Sequence, residues 1–166
     1  MTVQRDAPAR AGKRPGRIQV EASILIHAPA ERLAALYLDH AHWSRLFPKT
    51  IRGVRLVRQS PAETVVEVDD RTAGPVVNVI RPRSAREISL EEFKPKFDAT
   101  FRNSFEPTPD GTRYRVTADV RLKRPFAVLA PFLHGYVRRS IRRYVLEPMR
   151  TYAERESHQH VVDAFG

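Results

Sequence analysis

The chain has 166 residues, 42% of them hydrophobic and 29% charged, with a formal net charge of +10. That length suits one domain with a core of its own. The lack of cysteine excludes a disulfide framework and thiolate chemistry, and no segment approaches the roughly 20 apolar residues that span a bilayer.

Residues 1–16 are rich in Arg, Ala, Pro and Gly and read as a disordered basic arm without the apolar stretch of a secretory signal. A cytoplasmic location is the expectation, with peripheral membrane contact as an option. Residues 17–27 alternate, with Ile18, Val20, Ala22, Ile24 and Ile26 on one face, as a half-buried strand does. Pro29 sits where a helix can begin, and residues 30–38 follow with Leu33, Leu36 and Tyr37 as the apolar side. Residues 39–47 hold the only tryptophan, Trp43, and read as a second short helix with Asp39 as N-cap. Pro48 stops it.

From Ile51 the period changes to two. Residues 51–60 and 63–72 read as a hairpin joined at Ser60-Pro61-Ala62, and Gly74-Pro75 turns the chain into a strand over 76–81. Strands over 86–93 and 97–106 are split by Lys94-Pro95. Pro109-Asp110-Gly111 is a turn signal, and alternation resumes through Tyr114, Val116, Ala118, Val120 and Leu122. Consecutive strands with short turns predict an antiparallel sheet in an α+β domain.

Residues 124–154 predict a long amphipathic helix to cover the apolar face of that sheet. Phe126, Leu129, Ala130, Leu133, Val137, Ile141, Tyr144, Val145, Met149 and Tyr152 fall on one stripe at 100° per residue. Phe132, Arg138, Arg139, Arg142, Arg143, Leu146 and Arg150 fall on the flanks and back. Exposed Phe and Leu among arginines suit contact with an anionic membrane surface. The alternative is a solvated face, because the chain writes its basic positions as 24 Arg against 5 Lys. Pro131 and Pro148 each remove a helical hydrogen bond and predict a kink. Pro131 alternatively marks the true first turn, leaving the residues before it as a separate, mobile gate. Residues 157–166 read as a flexible tail.

The order of elements, with the stretch IQVEASILIHAPAERLAALYLDHAHWSRLFP from Ile18 to Pro48, resembles the START-like (SRPBCC) superfamily. More narrowly it resembles the polyketide cyclase/dehydrase and lipid-transport group, which includes coenzyme Q-binding proteins. The resemblance covers the segment 17–156. It implies a helix-grip fold, a seven-stranded antiparallel sheet curled around the C-terminal helix, with two short helices closing one end. It also implies a cavity between sheet and helix.

Residues expected to line that cavity are Trp43 and the strand residues Asn78, Phe101, Asn103, Phe105 and Tyr114, with Phe126, Leu129, Leu133, Val137, Ile141 and Tyr144 from the helix. Asn78 and Asn103 interrupt otherwise apolar faces, where an amide orients a ligand or is satisfied by backbone. His134 is a candidate base at the mouth or a surface histidine. Adjacent acids at Asp69-Asp70 and Glu91-Glu92 point to opposite faces of a strand and read as solvated charges. The histidines show no metal-ligand spacing, and no motif calls for a cofactor.

The leading expectation is binding or carriage of an apolar or amphipathic molecule: a lipid, quinone or polyketide. A polyketide cyclase or dehydratase is the alternative. A basic adaptor at a membrane or nucleic acid is the third. Nucleic acid is disfavoured by the lack of aromatic residues interleaved with the basic ones.

Overall fold

The computed structural model describes residues 15–165, with side-chain surroundings through Gln159. The basic arm expected over residues 1–16 lies almost entirely outside that range. The alternating segments form one seven-stranded antiparallel sheet in the order β1-β7-β6-β5-β4-β3-β2. The strands are β1 (Arg17–Ile26), β2 (Ile51–Gln59), β3 (Thr64–Asp70), β4 (Gly74–Ser84), β5 (Glu87–Phe93), β6 (Phe97–Thr108) and β7 (Gly111–Leu122). Because β1 pairs with the last strand, β1 and β2 form the two edges. The chain crosses from one edge to the other through α1 (Ala30–Leu38), a 3₁₀ turn (His40–His42) and α2 (Trp43–Leu46).

Period two decides which side chains face inward. Ile18, Val20, Ala22, Ile24 and Ile26 of β1 are all buried, as are Tyr114, Val116, Ala118 and Val120 of β7. Register carries that face across the sheet. Ala118 lies opposite Phe101, Phe101 opposite Leu90, and Leu90 opposite Ile80. One row along, Ala99 lies opposite Glu92, Glu92 opposite Asn78, and Asn78 opposite Val66.

Turn chemistry sets the strand ends. Asp70 Oδ1 accepts from the N–H groups of Thr72 and Ala73, both at 2.8 Å. The β3–β4 turn therefore closes over residues 71–73. Gly74 and Pro75, expected to form it, are instead the first residues of β4, paired with Asp70 and Asp69. Strand β4 also runs past Arg81 to Ser84, with a register shift between Pro82 and Ser84. Between β6 and β7 only Pro109 and Asp110 are unpaired. Gly111 has φ +137°, and a Cβ there would collide with the Ile26 carbonyl oxygen, so only glycine fits. That hairpin holds the β1–α1 junction: Thr112 Oγ1 donates to Ala28 O at 2.6 Å, and His27 Nδ1 lies 2.8 Å from Asp110 O.

In the helical crossing, Leu33, Ala34 and Tyr37 of α1 are buried, and Trp43 Nε1 donates to Tyr37 O at 2.8 Å. Asp39 does not cap with its side chain. Its carboxylate lies 2.7 Å from His42 Nδ1.

The C-terminal segment is not one rod. A 3₁₀ turn (Phe126–Leu129) precedes α3 (Ala130–Ile141), a π turn (Arg142–Leu146) follows, and α4 (Glu147–Phe165) completes it. Pro131 occupies the first turn of α3, where its missing N–H costs nothing. Pro148 has no N–H to offer Tyr144 O, and its ring excludes that carbonyl from an ordinary α turn. The wider turn just before it accommodates the conflict with an extra residue. The insertion shifts the helical phase. Leu146, placed on the basic back by a constant 3.6-residue period, is fully buried with Met149 and Ala153. Residues 157–165, expected to form a flexible tail, continue α4 as helix. Arg32 pairs with Glu156 at 2.7 Å, and Glu154 Oε1 accepts from His27 N at 3.2 Å, tying α4 to α1 and the end of β1.

Candidate functional site

One end of the concave face is filled. Tyr37, Trp43, Phe47, Phe105 and Tyr114 pack as an aromatic cluster, with Phe105 stacked on Tyr114 at 4.7 Å and Tyr37 5.8 Å from Trp43. Asn103 is the polar centre of that cluster. Tyr114 Oη donates to its Oδ1 at 2.6 Å. Its Nδ2 donates to Tyr37 Oη at 3.0 Å and to Ile88 O at 3.3 Å. Burial pushes both phenols well above their ordinary range, so they stay neutral. Trp43, Asn103, Phe105 and Tyr114, expected to line a cavity, are thus packed core residues. Asn103 finds its partners inside the protein and needs none from a ligand.

Toward the other end the same face opens. Phe97 and Phe101 are only half-buried although they lie on the interior strand β6, and the Glu92 side chain on interior β5 retains 17% exposure. Interior strands are shielded laterally, so this accessibility comes from the space in front of the sheet. Leu133 and Val137 of α3 are half-buried against the same core. Phe126 is half-buried, with Lys96 Nζ 5.3 Å from its ring centre. Ile141 is buried. Tyr144 is half-buried, its ring covered by the Arg143 guanidinium at 5.4 Å. Leu129, expected to face the cavity, is 43% exposed on the 3₁₀ turn, because the chain before Pro131 leaves the helical phase of α3.

A polar cluster borders the open region. Lys94 Nζ lies 2.9 Å from Asp70 Oδ2 and 3.4 Å from Glu92 Oε1. Burial raises the Glu92 carboxyl above the usual carboxylate range, and the nearby Asp70 charge adds to that; Lys94 opposes both only in part. Burial works against the Asp70 charge too, but Lys94 and the N–H groups of Ala73 and Thr72 hold its carboxyl below the usual range. Lys94 stays charged between them, its ordinary value raised against the cost of burial. Asn78, in register beside Glu92, is buried, and its Oδ1 has no hydrogen-bond partner among the described residues. Asp70 and Glu92 are therefore not solvated charges. Extending the alternation from Val66 and Val68 to position 70, and from Ile88 and Leu90 to position 92, puts both on the inner face.

The structure also holds a groove that the sequence did not suggest. It is an open cleft of about 780 Å³ lined by the outward side chains Gln19, Glu21, Thr100, Arg102, Thr117 and Asp119, together with His134 and Arg138 of α3. His134 thus lines this groove, whose lining does not include Phe97 or Phe101. Val128 of the 3₁₀ turn and Phe132 and Tyr136 of α3 are 75%, 82% and 64% exposed, four residues apart. Arg138, Arg139, Arg142 and Arg143 are exposed and form no ion pair among the described residues, whereas Arg150 pairs with Glu147 at 2.5 Å. No group of three metal-ligating side chains gathers among the described residues. No described helix is long and apolar enough to cross a membrane.

A curled seven-stranded antiparallel sheet, two short helices after its first strand and a long C-terminal helical segment define the helix-grip, START-like fold. The chain belongs to the family described as polyketide cyclase/dehydrase and lipid transport, which it matches over residues 17–154. The sequence matches no curated protein. Among solved structures, it is similar to the Zhui aromatase/cyclase from Streptomyces sp. R1128, with a TM-score of 0.70 at 16% identity over 85% of this chain and 96% of that one. A START superfamily protein from Mycobacterium smegmatis superposes with a TM-score of 0.66 at 19% identity over 82% and 97% of the two chains. The di-domain ARO/CYC BexL from the BE-7585A biosynthetic pathway gives a TM-score of 0.70 at 20% identity over 86% of this chain. The chain spans about half, 52%, of BexL's length.

Proposed function

We propose that the protein binds and carries an apolar or amphipathic small molecule (a lipid, quinone or polyketide) between the concave face and α3. The observation that carries this reading is the half-buried Phe97 and Phe101 on interior β6, beside the polar cluster of Glu92, Lys94 and Asn78. Enclosing apolar area supplies affinity at about 25 cal/mol per Å², and a few polar groups set orientation. No covalent step is required. Native mass spectrometry of the purified full chain tests it. A co-purifying small molecule in the molecular-mass range of a lipid or polyketide is expected, and its consistent absence across expression hosts counts against the reading.

A second reading, a polyketide cyclase or dehydratase, is favoured by one feature. The Glu92 carboxyl is biased toward its protonated form next to a charged Lys94, so the open region holds groups able to give and take protons. A linear polyketide chain held against Phe97 and Phe101 would then close or dehydrate with Glu92 as the proton carrier. Turnover of such a chain that disappears in Glu92→Gln, with binding kept, would establish this reading over simple carriage.

A further inference from the structure

Two buried amides share the concave face, and the protein treats them differently. Asn103 has partners for both ends of its amide in Tyr37, Tyr114 and Ile88. Asn78 is 4% exposed, and its Oδ1 has no donor among the described residues. A buried acceptor left without a donor is rare in folded proteins and marks a place where something else supplies one. The ladder fixes its surroundings: Val66 lies opposite on β3 and has no donor in its side chain, and Glu92 lies opposite on β5.

We infer that Asn78, Glu92 and the Lys94–Asp70 pair form a polar subsite that takes the hydroxyl end of a neutral amphipathic ligand, an alcohol or phenol in preference to a carboxylate. A hydroxyl both donates and accepts, so it satisfies the Asn78 amide in either orientation. A carboxylate only accepts, and it would meet two carboxyl groups sharing one ammonium. That ammonium is already engaged, at 2.9 Å by Asp70 and 3.4 Å by Glu92. Burial also favours the uncharged Glu92 carboxyl, which can both donate to and accept from a hydroxyl. The apolar body of the ligand then lies toward β6, over Phe97 and Phe101. Two strand spacings, about 10 Å, separate Asn78 from that strand, a span suited to a bicyclic ring with one hydroxyl.

This inference rests on the ligand-binding reading above, and the two fail differently. Isothermal titration of the full chain with 2-naphthol, naphthalene and 2-naphthoate presents one ring system with a hydroxyl, no polar group and a carboxylate. The hydroxyl compound is expected to bind about tenfold tighter than naphthalene, the gain of one hydrogen bond to a buried group, and 2-naphthoate most weakly. In Asn78→Leu that preference should fall to about onefold while naphthalene still binds. Equal binding of 2-naphthol and naphthalene, tighter binding of 2-naphthoate, or an unchanged preference in Asn78→Leu overturns the subsite and leaves carriage of an apolar molecule standing. Binding by none of the three overturns the ligand reading together with the subsite. The wild-type ratio needs no variant, so the test holds even if Asn78→Leu does not fold.

Discussion

Leu146→Ala separates the observed helical phase from the one that a constant period predicts. Counting at 100° per residue puts Leu146 and Phe132 together on the solvent-facing back. The π turn at Arg142–Leu146 turns Leu146 inward, where it is fully buried, and leaves Phe132 82% exposed. Removing a buried Leu side chain costs about 2.7–5 kcal/mol, from lost transfer energy plus the cavity left behind. A surface truncation stays within about 0.5 kcal/mol. For a domain of this size each kcal/mol moves Tm by about 2–4 °C, so Leu146→Ala should lower Tm by roughly 5–20 °C and Phe132→Ala by roughly 2 °C or less. Urea titration monitored by the buried Trp43 gives the same comparison in free energy. A Leu146→Ala cost below about 1 kcal/mol, or equal costs for the two variants, would refute the phase shift.

Tyr114→Phe removes the donor to Asn103 Oδ1. It should cost about 1–3 kcal/mol, seen in the same denaturation, and a neutral outcome would mean that the amide is not held as described. Glu92→Gln should show a pH-dependent advantage. The raised Glu92 value means that folding favours its protonated form, so the wild type loses stability as pH rises from the ordinary carboxylate range through the folded value. The variant cannot ionise, so its Tm relative to wild type should climb between pH 4 and pH 8; a relative Tm that falls with pH contradicts the assignment. Changing Arg138, Arg139, Arg142 and Arg143 together to Gln should abolish salt-sensitive pelleting with anionic liposomes, since each contributes up to about 1 kcal/mol at such a surface. Retained pelleting would show that this face does not contact the membrane. Hydrogen exchange over residues 126–133 should be faster than over residues 141–153, because the first stretch carries the exposed Val128, Leu129 and Phe132 and the second anchors Ile141, Leu146, Met149 and Ala153 in the core. Ligand should slow it, and equal protection along the whole segment with and without ligand would rule out a gate.

Most strands could be placed from the sequence because each inner face alternates cleanly. Ile18 to Ile26 and Tyr114 to Leu122 needed nothing beyond the period, and the turn at Pro109-Asp110-Gly111 follows from glycine's access to positive φ. Local signals misled where a tertiary or side-chain bond competes. Asp70 closes the β3–β4 turn by binding Thr72 and Ala73, which takes that role from Gly74-Pro75. The helix stripe was legible only as far as the π turn, since an inserted residue is invisible to a constant period. The site was less legible still. Whether Phe101 stays open while Phe105 closes depends on how α1, α2 and α3 sit over the sheet. Asn78 and Asn103 look alike in the sequence and differ in the partners the fold brings to them, Tyr37, Tyr114 and Ile88 O for Asn103 and no donor to Asn78 Oδ1 among the described residues. Glu92 was within reach, since the alternation of β5 places it inside.

Ligand is predicted to enter the concave face and not the groove beside His134. Side-chain NMR of the full chain during titration with 2-naphthol tests that most directly. The largest shifts are predicted at Phe97, Phe101 and the Asn78 amide, with His134 and Thr117 unmoved. Saturable shifts confined to His134, Thr117 and their neighbours in that groove would contradict it.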